Sequence, residues 1–126
     1  MSTGNILLVE DEFVIASATK LVLEDQGYRV VIAANGASAL SKAEAERFDL
    51  VISDYMMPRM DGVTFTQALR NRGFDKPIIL ASAIPEDRLP PEARGTFDAF
   101  IEKPFVDATL IALVRRVLGE RDTERS

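Results

Sequence analysis

The segment at residues 49–58 reads DLVISDYMMP and decides the fold of this chain. Its apolar residues 50–52 form the short uninterrupted run that is typical of a strand buried on both faces of a parallel sheet. Pro58 has no backbone N–H group and cannot extend a strand ladder, so a loop must follow. Asp54 is therefore predicted at the carboxyl end of a buried strand. Open α/β sheets bind ligands at that edge, which makes Asp54 a candidate nucleophile.

The composition limits the chemistry that this chain can perform. Its 126 residues fit one domain, and 47% hydrophobic with 28% charged residues is ordinary for a globular protein. The sequence has no cysteine and no histidine, which excludes thiol catalysis, disulfides and the commonest metal ligand. A net charge of -5 argues against direct nucleic-acid binding. No apolar run spans a bilayer and no signal peptide is visible, so we expect a cytoplasmic protein without membrane insertion.

Strand and helix patterns alternate along the chain. Strands are predicted at residues 5–9, 28–34, 49–54, 77–82 and 99–103. Helices are predicted at residues 13–25, 37–47 and 61–72, and a final helix is capped by Asp107 and closed by Gly119. The first helix is predicted to bury a stripe of Val14, Ala18, Leu21 and Val22. This alternation predicts a three-layer α/β fold with a parallel sheet and right-handed crossovers.

The fourth crossover departs from this alternation. A helix is due between residues 84 and 95, but Pro90 and Pro91 each remove a donor and clash with the preceding turn. We predict at most one or two irregular, mobile turns there. The domain is expected to cover residues 1–119, and residues 120–126 are expected to form a frayed tail.

Polar residues follow four of the predicted strands. Glu10 and Asp11 follow the first, Asp54 ends the third, Ser82 ends the fourth and Lys103 ends the fifth. The carboxyl ends of parallel strands share one edge, so these residues are predicted to converge. Clustered carboxylates repel one another unless a cation joins them, and oxygen ligands without histidine or cysteine favour Mg²⁺. A metal and a lysine beside a carboxylate describe a phosphoryl-transfer site, in which Asp54 would receive the phosphate.

The chain resembles the receiver domain of two-component response regulators. Four motifs carry the resemblance, in the order and spacing of that family: VEDE at residues 9–12, SDYMMPRMDG at residues 53–62, LASA at residues 80–83 and EKPF at residues 102–105. The match runs from about residue 5 to residue 119. It implies a flavodoxin-like fold with a five-stranded parallel sheet in the order 2-1-3-4-5 and helices on both faces.

The resemblance also implies a magnesium site. Asp11 and Asp54 would bind Mg²⁺ directly, and Glu10 would act mostly through water. The backbone carbonyl of Met56 would complete the protein ligands. A surface acid, or a charge that favours the first helix, is the simpler alternative for Glu10.

The resemblance implies that Asp54 accepts a phosphoryl group from a phosphohistidine on a sensor histidine kinase or a histidine phosphotransfer protein. Lys103 would pair with Asp54 and then with a phosphoryl oxygen, while the Ser82 hydroxyl and the Ala83 N–H would hold the others. Movement of Ser82 would be coupled to inward rotation of Phe100. A turn cap explains Ser82 more simply, and a core aromatic explains Phe100 equally well.

Three positions depart from the usual family pattern. Ser82 stands where threonine is commoner, and Phe100 lacks the hydroxyl of tyrosine. Met56 places an apolar side chain beside the phosphorylation site, and we hypothesise that it slows hydrolysis by limiting the access of water. The Lys103–Pro104 peptide bond is expected to be cis, as it is in receivers.

The predicted function is a stand-alone receiver, because the sequence ends one helix after the fifth strand. It would signal or relay phosphate through an unknown protein target, with phosphorylation-dependent homodimerisation as one possibility, and it would not be an enzyme beyond its own phosphoryl transfer and hydrolysis. A non-phosphorylated scaffold and an Asp-based phosphatase are the alternatives. The phosphatase pattern needs a second acid two residues after the nucleophile, where this chain has Met56. A flavin module is disfavoured because the acids at residues 10–12 would repel its phosphate.

Overall fold

The computed structural model describes residues 4–57 and 60–119. Within these residues, five strands alternate with four α-helices and two short 3-10 helices. The strands are β1 (Asn5–Val9), β2 (Arg29–Ala33), β3 (Leu50–Asp54), β4 (Ile78–Ser82) and β5 (Ala99–Glu102). The α-helices are α1 (Phe13–Glu24), α2 (Gly36–Ala45), α3 (Gly62–Asn71) and α4 (Asp107–Val117). The predicted tail lies outside the described residues.

All neighbouring strands are parallel, in the order β2-β1-β3-β4-β5. This confirms the predicted flavodoxin-like fold. Alternate residues of β1 face opposite sides of the sheet, as the two-residue repeat of a strand requires. Ile6 and Leu8 pack in a core with residues of α1 and α4, whereas Leu7 and Val9 pack in a core with residues of α2 and α3. The three layers therefore follow from one strand that is apolar on both faces.

The fourth crossover is irregular, as predicted. Two 3-10 helices, Glu86–Arg88 and Pro91–Ala93, replace an α-helix. Leu89 and Ala93 are buried against Leu80 in a third apolar cluster, so the segment still covers the sheet. Its predicted mobility stays a prediction.

The buried face of α1 differs from the prediction. Ala16 and Leu23 face the sheet and are fully buried, whereas Val14 is 76% exposed and Leu21 is 69% exposed. Ala18 is also exposed and Val22 is half-buried. Apolar residues occur all around this helix, so their spacing does not select one stripe. The small side chain of Ala16 fits the interface with the sheet.

The start of α4 also differs from the prediction. Asp107 is the first helical residue, and the capping position is held by Val106, which makes no side-chain cap hydrogen bond. A carboxylate in the first turn still favours the helix dipole, which explains the choice of residue. Other predicted ends lie within two residues of the observed ones, where helix and strand ends fray. No helix in residues 4–57 and 60–119 is long and apolar enough to cross a membrane.

Candidate functional site

Three carboxylates meet at the carboxyl edge of the sheet. Val9 is in register with Ser53, so Glu10 and Asp11, which follow β1, reach the level of Asp54 at the end of β3. One carboxylate oxygen from each of the three acids lies within 4.8 Å of the others. The structure therefore brings together the acids that the sequence predicts, although Asp54 lies far along the chain from Glu10 and Asp11.

Lys103 reaches this cluster from the other side. Its backbone N–H donates to the carbonyl of Ser82 at 2.8 Å and extends the pairing of β4 with β5. Its ammonium contacts the carboxylate of Asp54 and lies 3.4 Å from Oε1 of Glu10. The Lys103–Pro104 peptide bond is cis, as predicted. The predicted pairing of Lys103 with Asp54 is confirmed.

Burial dominates the electrostatics of the two inner acids. Glu10 is 6% exposed and Asp54 is 8% exposed. Burial, together with the negative charge of Asp11, raises the pKa of Asp54, although the hydrogen bond and charge of Lys103 lower it. Burial also raises the pKa of Glu10, against a hydrogen bond from the backbone N–H of Glu12. The positive charge of Lys103 therefore does not fully offset the burial of these two carboxylates.

The lysine responds in the complementary direction. Burial lowers the pKa of Lys103, but the hydrogen bond and charge of Asp54, together with Glu10, outweigh burial and raise it. Lys103 therefore remains charged and supplies one positive charge to three acids. The remaining negative charge and the oxygen-only ligands fit a hard divalent cation such as Mg²⁺. Asp11, which is exposed, and Asp54 are the candidate direct ligands.

The hydroxyl of Ser82 is bound within its own loop. Ser82 is 1% exposed, and its Oγ accepts from the N–H of Ile84 at 2.8 Å and donates to the carbonyl of Ile84 at 3.0 Å. Ser82 thus forms the turn cap that was the simpler alternative. Ser82 directly follows Ala81 in β4, and Ala81 is in register with Asp54. Ala83, which follows, is exposed at the same edge.

Phe100 and Met56 differ in their exposure to solvent. Phe100 is half-buried and packs against the third apolar cluster, with its ring centroid 6.1 Å from that of Phe97. This contact agrees with a core aromatic, and the switch role of Phe100 stays a prediction. The side chain of Met56 is 63% exposed in the loop directly after Asp54.

Two residues that hold the backbone of Asp54 were missed in the sequence. The hydroxyl of fully buried Ser53 donates to the carbonyl of Asp54 at 2.9 Å. Gly62 begins α3 and lies against the same carbonyl. A serine inside an otherwise apolar strand was the available signal for the first. The signal for the second was weaker, because the Asp61-Gly62 pair was fully explained by a helix cap, which Asp61 does form with Thr64.

Comparison with known families identifies the class of protein that this fold and site define. The sequence model described as "Response regulator receiver domain" matches residues 6–115. The chain belongs to the response regulator receiver domain family.

Individual relatives with curated sequences or solved structures agree with this family membership. The chain is 35% identical over 127 residues to the transcriptional regulatory protein YkoG of Bacillus subtilis, covering 98% of this chain and 55% of that protein. The chain spans about half the length of the curated relatives that it matches. The structure of chemotaxis response regulator CheY4 of Vibrio cholerae is 33% identical, with a TM-score of 0.84, and covers 93% of this chain and 98% of its own. TrrA of Thermotoga maritima, solved with Mg²⁺-BeF, is 32% identical, with a TM-score of 0.83, and covers 93% and 99%.

Proposed function

We propose that this chain accepts a phosphoryl group on Asp54 in a Mg²⁺-dependent reaction and transmits a signal through protein–protein interaction. The observation that carries the proposal is the contact of the Lys103 ammonium with the Asp54 carboxylate, beside Glu10 and Asp11 at the open edge of the sheet. A cation and two further acids around one acceptor carboxylate are the parts that phosphoryl transfer needs. The complex of the related TrrA with Mg²⁺-BeF supports a magnesium site here.

The proposed transfer forms one bond and breaks one bond. A carboxylate oxygen of Asp54 attacks the phosphorus of a phosphorylated imidazole on the partner, and an O–P bond forms. The N–P bond breaks, and the imidazole nitrogen keeps the bonding electrons and takes a proton from solvent. Mg²⁺, held by Asp11, Asp54 and the carbonyl of Met56, would neutralise phosphoryl charge. Lys103 would move with that charge from the carboxylate to a phosphoryl oxygen.

The donor is proposed to be a sensor histidine kinase or a histidine phosphotransfer protein. The exposed apolar side chains of Phe13, Val14 and Leu21 on α1 support docking of a protein. Helix α1 begins two residues after Asp11, so its first turn adjoins the site. A bulky donor protein could bury this surface while it presents its phosphohistidine to Asp54.

The output is proposed to pass through another protein. Ser82 would exchange its two bonds with Ile84 for a bond to the phosphoryl group, with the Ala83 N–H alongside. That exchange would release the start of the 3-10 segment and let Phe100 repack. The target, a phosphorylation-dependent homodimer, the absence of nucleic-acid contact, the stand-alone state and the cytoplasmic location stay predictions. So does the view that the chain is no enzyme beyond its own phosphoryl transfer and hydrolysis.

The test is phosphorylation by a small donor. The protein is incubated with acetyl phosphate and Mg²⁺, and its intact mass is measured. We expect a gain of one phosphate that is absent with EDTA and absent in Asp54→Asn. Lys103→Ala should bind Mg²⁺ and still show severely reduced phosphorylation. A wild-type protein that gains no mass under these conditions would favour the non-phosphorylated scaffold instead.

A further inference from the structure

The loop that follows Asp54 closes back on the strand that carries it. The N–H of Gly62, the first residue of α3, donates to the carbonyl of Tyr55 at 2.7 Å. A side chain at Gly62 would have no room, because an ideal Cβ there would lie 2.4 Å from the carbonyl oxygen of Asp54 and 2.9 Å from Cα of Tyr55. Its backbone is not in the left-handed region. Close packing, and not conformation, therefore requires glycine.

The same stretch of backbone is held from two other directions. The Ser53 hydroxyl donates to the carbonyl of Asp54 at 2.9 Å inside the core. The N–H of Tyr55 donates to the carbonyl of Ala81 at 2.8 Å, which ties the end of β3 to β4. Gly62 thus packs against the peptide group between Asp54 and Tyr55. The hydrogen bonds to Ser53 and Ala81 hold the same peptide group from its other sides.

We propose that Gly62 is a positioning residue for the metal and phosphoryl site. The missing side chain lets α3 contact the Asp54–Tyr55 backbone. That contact sets where the Asp54 carboxylate, and the carbonyl of Met56 two residues later, lie relative to Asp11. This inference rests on the proposed function for its phosphoryl part and on the acid cluster alone for its metal part. A methyl group at residue 62 must displace backbone, because its two nearest neighbours, the carbonyl oxygen of Asp54 and Cα of Tyr55, are both backbone atoms.

Gly36 provides a matched control. Like Gly62, it is the first residue of a helix and is buried. Each helix is capped by an Asx side chain that accepts from the N–H three residues on at 2.8 Å, Asn35 from Ser38 and Asp61 from Thr64. A Cβ on Gly36, however, would meet side-chain atoms of Met60, with Sδ at 2.6 Å, Cγ at 3.1 Å and Cβ at 3.3 Å, and none of these three nearest atoms is backbone. Alanine at either position changes helix propensity alike, and only one presses on the site.

The experiment compares Gly62→Ala, Gly36→Ala and the wild type. Mg²⁺ affinity is measured by isothermal titration calorimetry, the free energy of unfolding by urea, and the phosphorylation rate with acetyl phosphate at saturating Mg²⁺. We expect Gly62→Ala to weaken Mg²⁺ binding about tenfold or more, the range seen when support of a metal ligand is removed. We expect its phosphorylation to slow as well, and Gly36→Ala to match the wild type in both.

Each outcome decides the inference. A folded Gly62→Ala with wild-type Mg²⁺ affinity would overturn it, and so would an equal loss in Gly36→Ala. If Gly62→Ala does not fold, Ser53→Ala decides instead: it removes the hydrogen bond to Asp54 without added bulk, and unchanged Mg²⁺ affinity would overturn the inference. Failure of the wild type to accept phosphate would refute the proposed function, while the Mg²⁺ affinities would still test Gly62.

Discussion

Asp54 is the residue on which the proposed chemistry depends, and the fold buries its carboxylate, which makes the charged form unfavourable. It is 8% exposed, and its repulsion from Asp11 adds to the cost of burying its charge. Lys103 offsets part of that cost but does not reverse the direction of the pKa shift. Added positive charge would stabilise a site with this imbalance, and a bound metal ion would supply it.

The raised pKa of Asp54 predicts a pH-dependent stability difference for Asp54→Asn. A group whose pKa is raised on folding keeps its proton longer in the folded state, so its ionisation lowers stability as the pH rises through that window. Asparagine does not ionise. In EDTA, the free energy of unfolding of Asp54→Asn relative to the wild type should therefore increase between about pH 4, near the ordinary aspartate pKa, and pH 7. Urea unfolding at both pH values checks this.

Mg²⁺ supplies the control for this prediction. At pH 7, added Mg²⁺ should stabilise the wild type more than Asp54→Asn, because the variant lacks one carboxylate ligand. A ligand raises stability in proportion to how strongly it binds the folded state. A stability difference that stays constant with pH in EDTA would contradict the assigned direction of the Asp54 pKa.

Met56 is the second residue with a specific prediction. Its exposed side chain lies in the loop after Asp54. Our hypothesis is that this side chain shields the aspartyl phosphate from water. Replacing it by the polar residue in Met56→Asn should speed the decay of the aspartyl phosphate severalfold, as followed by loss of phosphate in intact mass. Leu21→Asn, at an exposed apolar residue farther along α1, is the control and should leave the decay rate unchanged. Equal decay in Met56→Asn and the wild type would end the hypothesis.

At the scale of an element, α1 is unusual in the side chains that it leaves in solvent. Phe13 and Val14 are 77% and 76% exposed, and Leu21 follows on the same helix at 69%. Exposed apolar side chains that cluster on one helix mark interaction surfaces more often than scattered ones do. The helix therefore has a stability role through Ala16 and Leu23 and a separate surface available to a partner.

This separation predicts the effect of Leu21→Ser. The free energy of unfolding should change by about 0.5 kcal/mol or less, since the side chain is exposed. Phosphorylation by acetyl phosphate should be unchanged, whereas transfer from a phosphorylated histidine kinase or phosphotransfer protein should slow about tenfold, the loss expected for one contact of about 1.4 kcal/mol. Ala112→Ser, at an exposed position of α4, is the control. An equal loss with both donors would place the defect in the site and not in docking.

At the scale of the whole molecule, one arginine joins three elements at the edge opposite the site. Arg70 of α3 donates to the carbonyls of Phe74 at 3.0 Å and Lys76 at 2.9 Å, before β4, and to the carboxylate of Asp98 at 2.7 Å, before β5. Asp98 in turn accepts from the N–H of Ile78 at 2.8 Å. This network fixes where β4 and β5 begin, and hence the level at which Ser82 and Lys103 emerge.

The network predicts that Arg70→Ala lowers the free energy of unfolding by about 2 kcal/mol, because several hydrogen bonds of one half-buried side chain are lost together. Arg72→Ala is a matched control on the same helix end. Its guanidinium pairs with Glu44 in an exposed bridge, so its loss should cost about 0.5 kcal/mol or less. Urea unfolding measures both, and similar losses for the two arginines would contradict the role of the network.

Much of this molecule could be predicted from local sequence patterns. The five strands, the interrupted fourth crossover and the polar residues at the strand ends were visible because apolar runs, proline pairs and charged stops act over a few neighbouring residues. The convergence of Asp11, Asp54 and Lys103 followed from the parallel topology. The prediction of the buried face of α1 was wrong, because a helix that is apolar all around carries no periodic signal.

The sequence by itself determined the strands, their parallel class and the chemical identity of the site, since each depends on residue type and short-range spacing. The tertiary structure decided which face of α1 packs on the sheet and that the Ser82 hydroxyl bonds to Ile84. It also decided that Gly62 contacts the backbone of Asp54 and that burial, with the charge of Asp11, raises the pKa of that acid despite Lys103. These features depend on distances between segments far apart in the chain, and such distances exist only once the layers have packed.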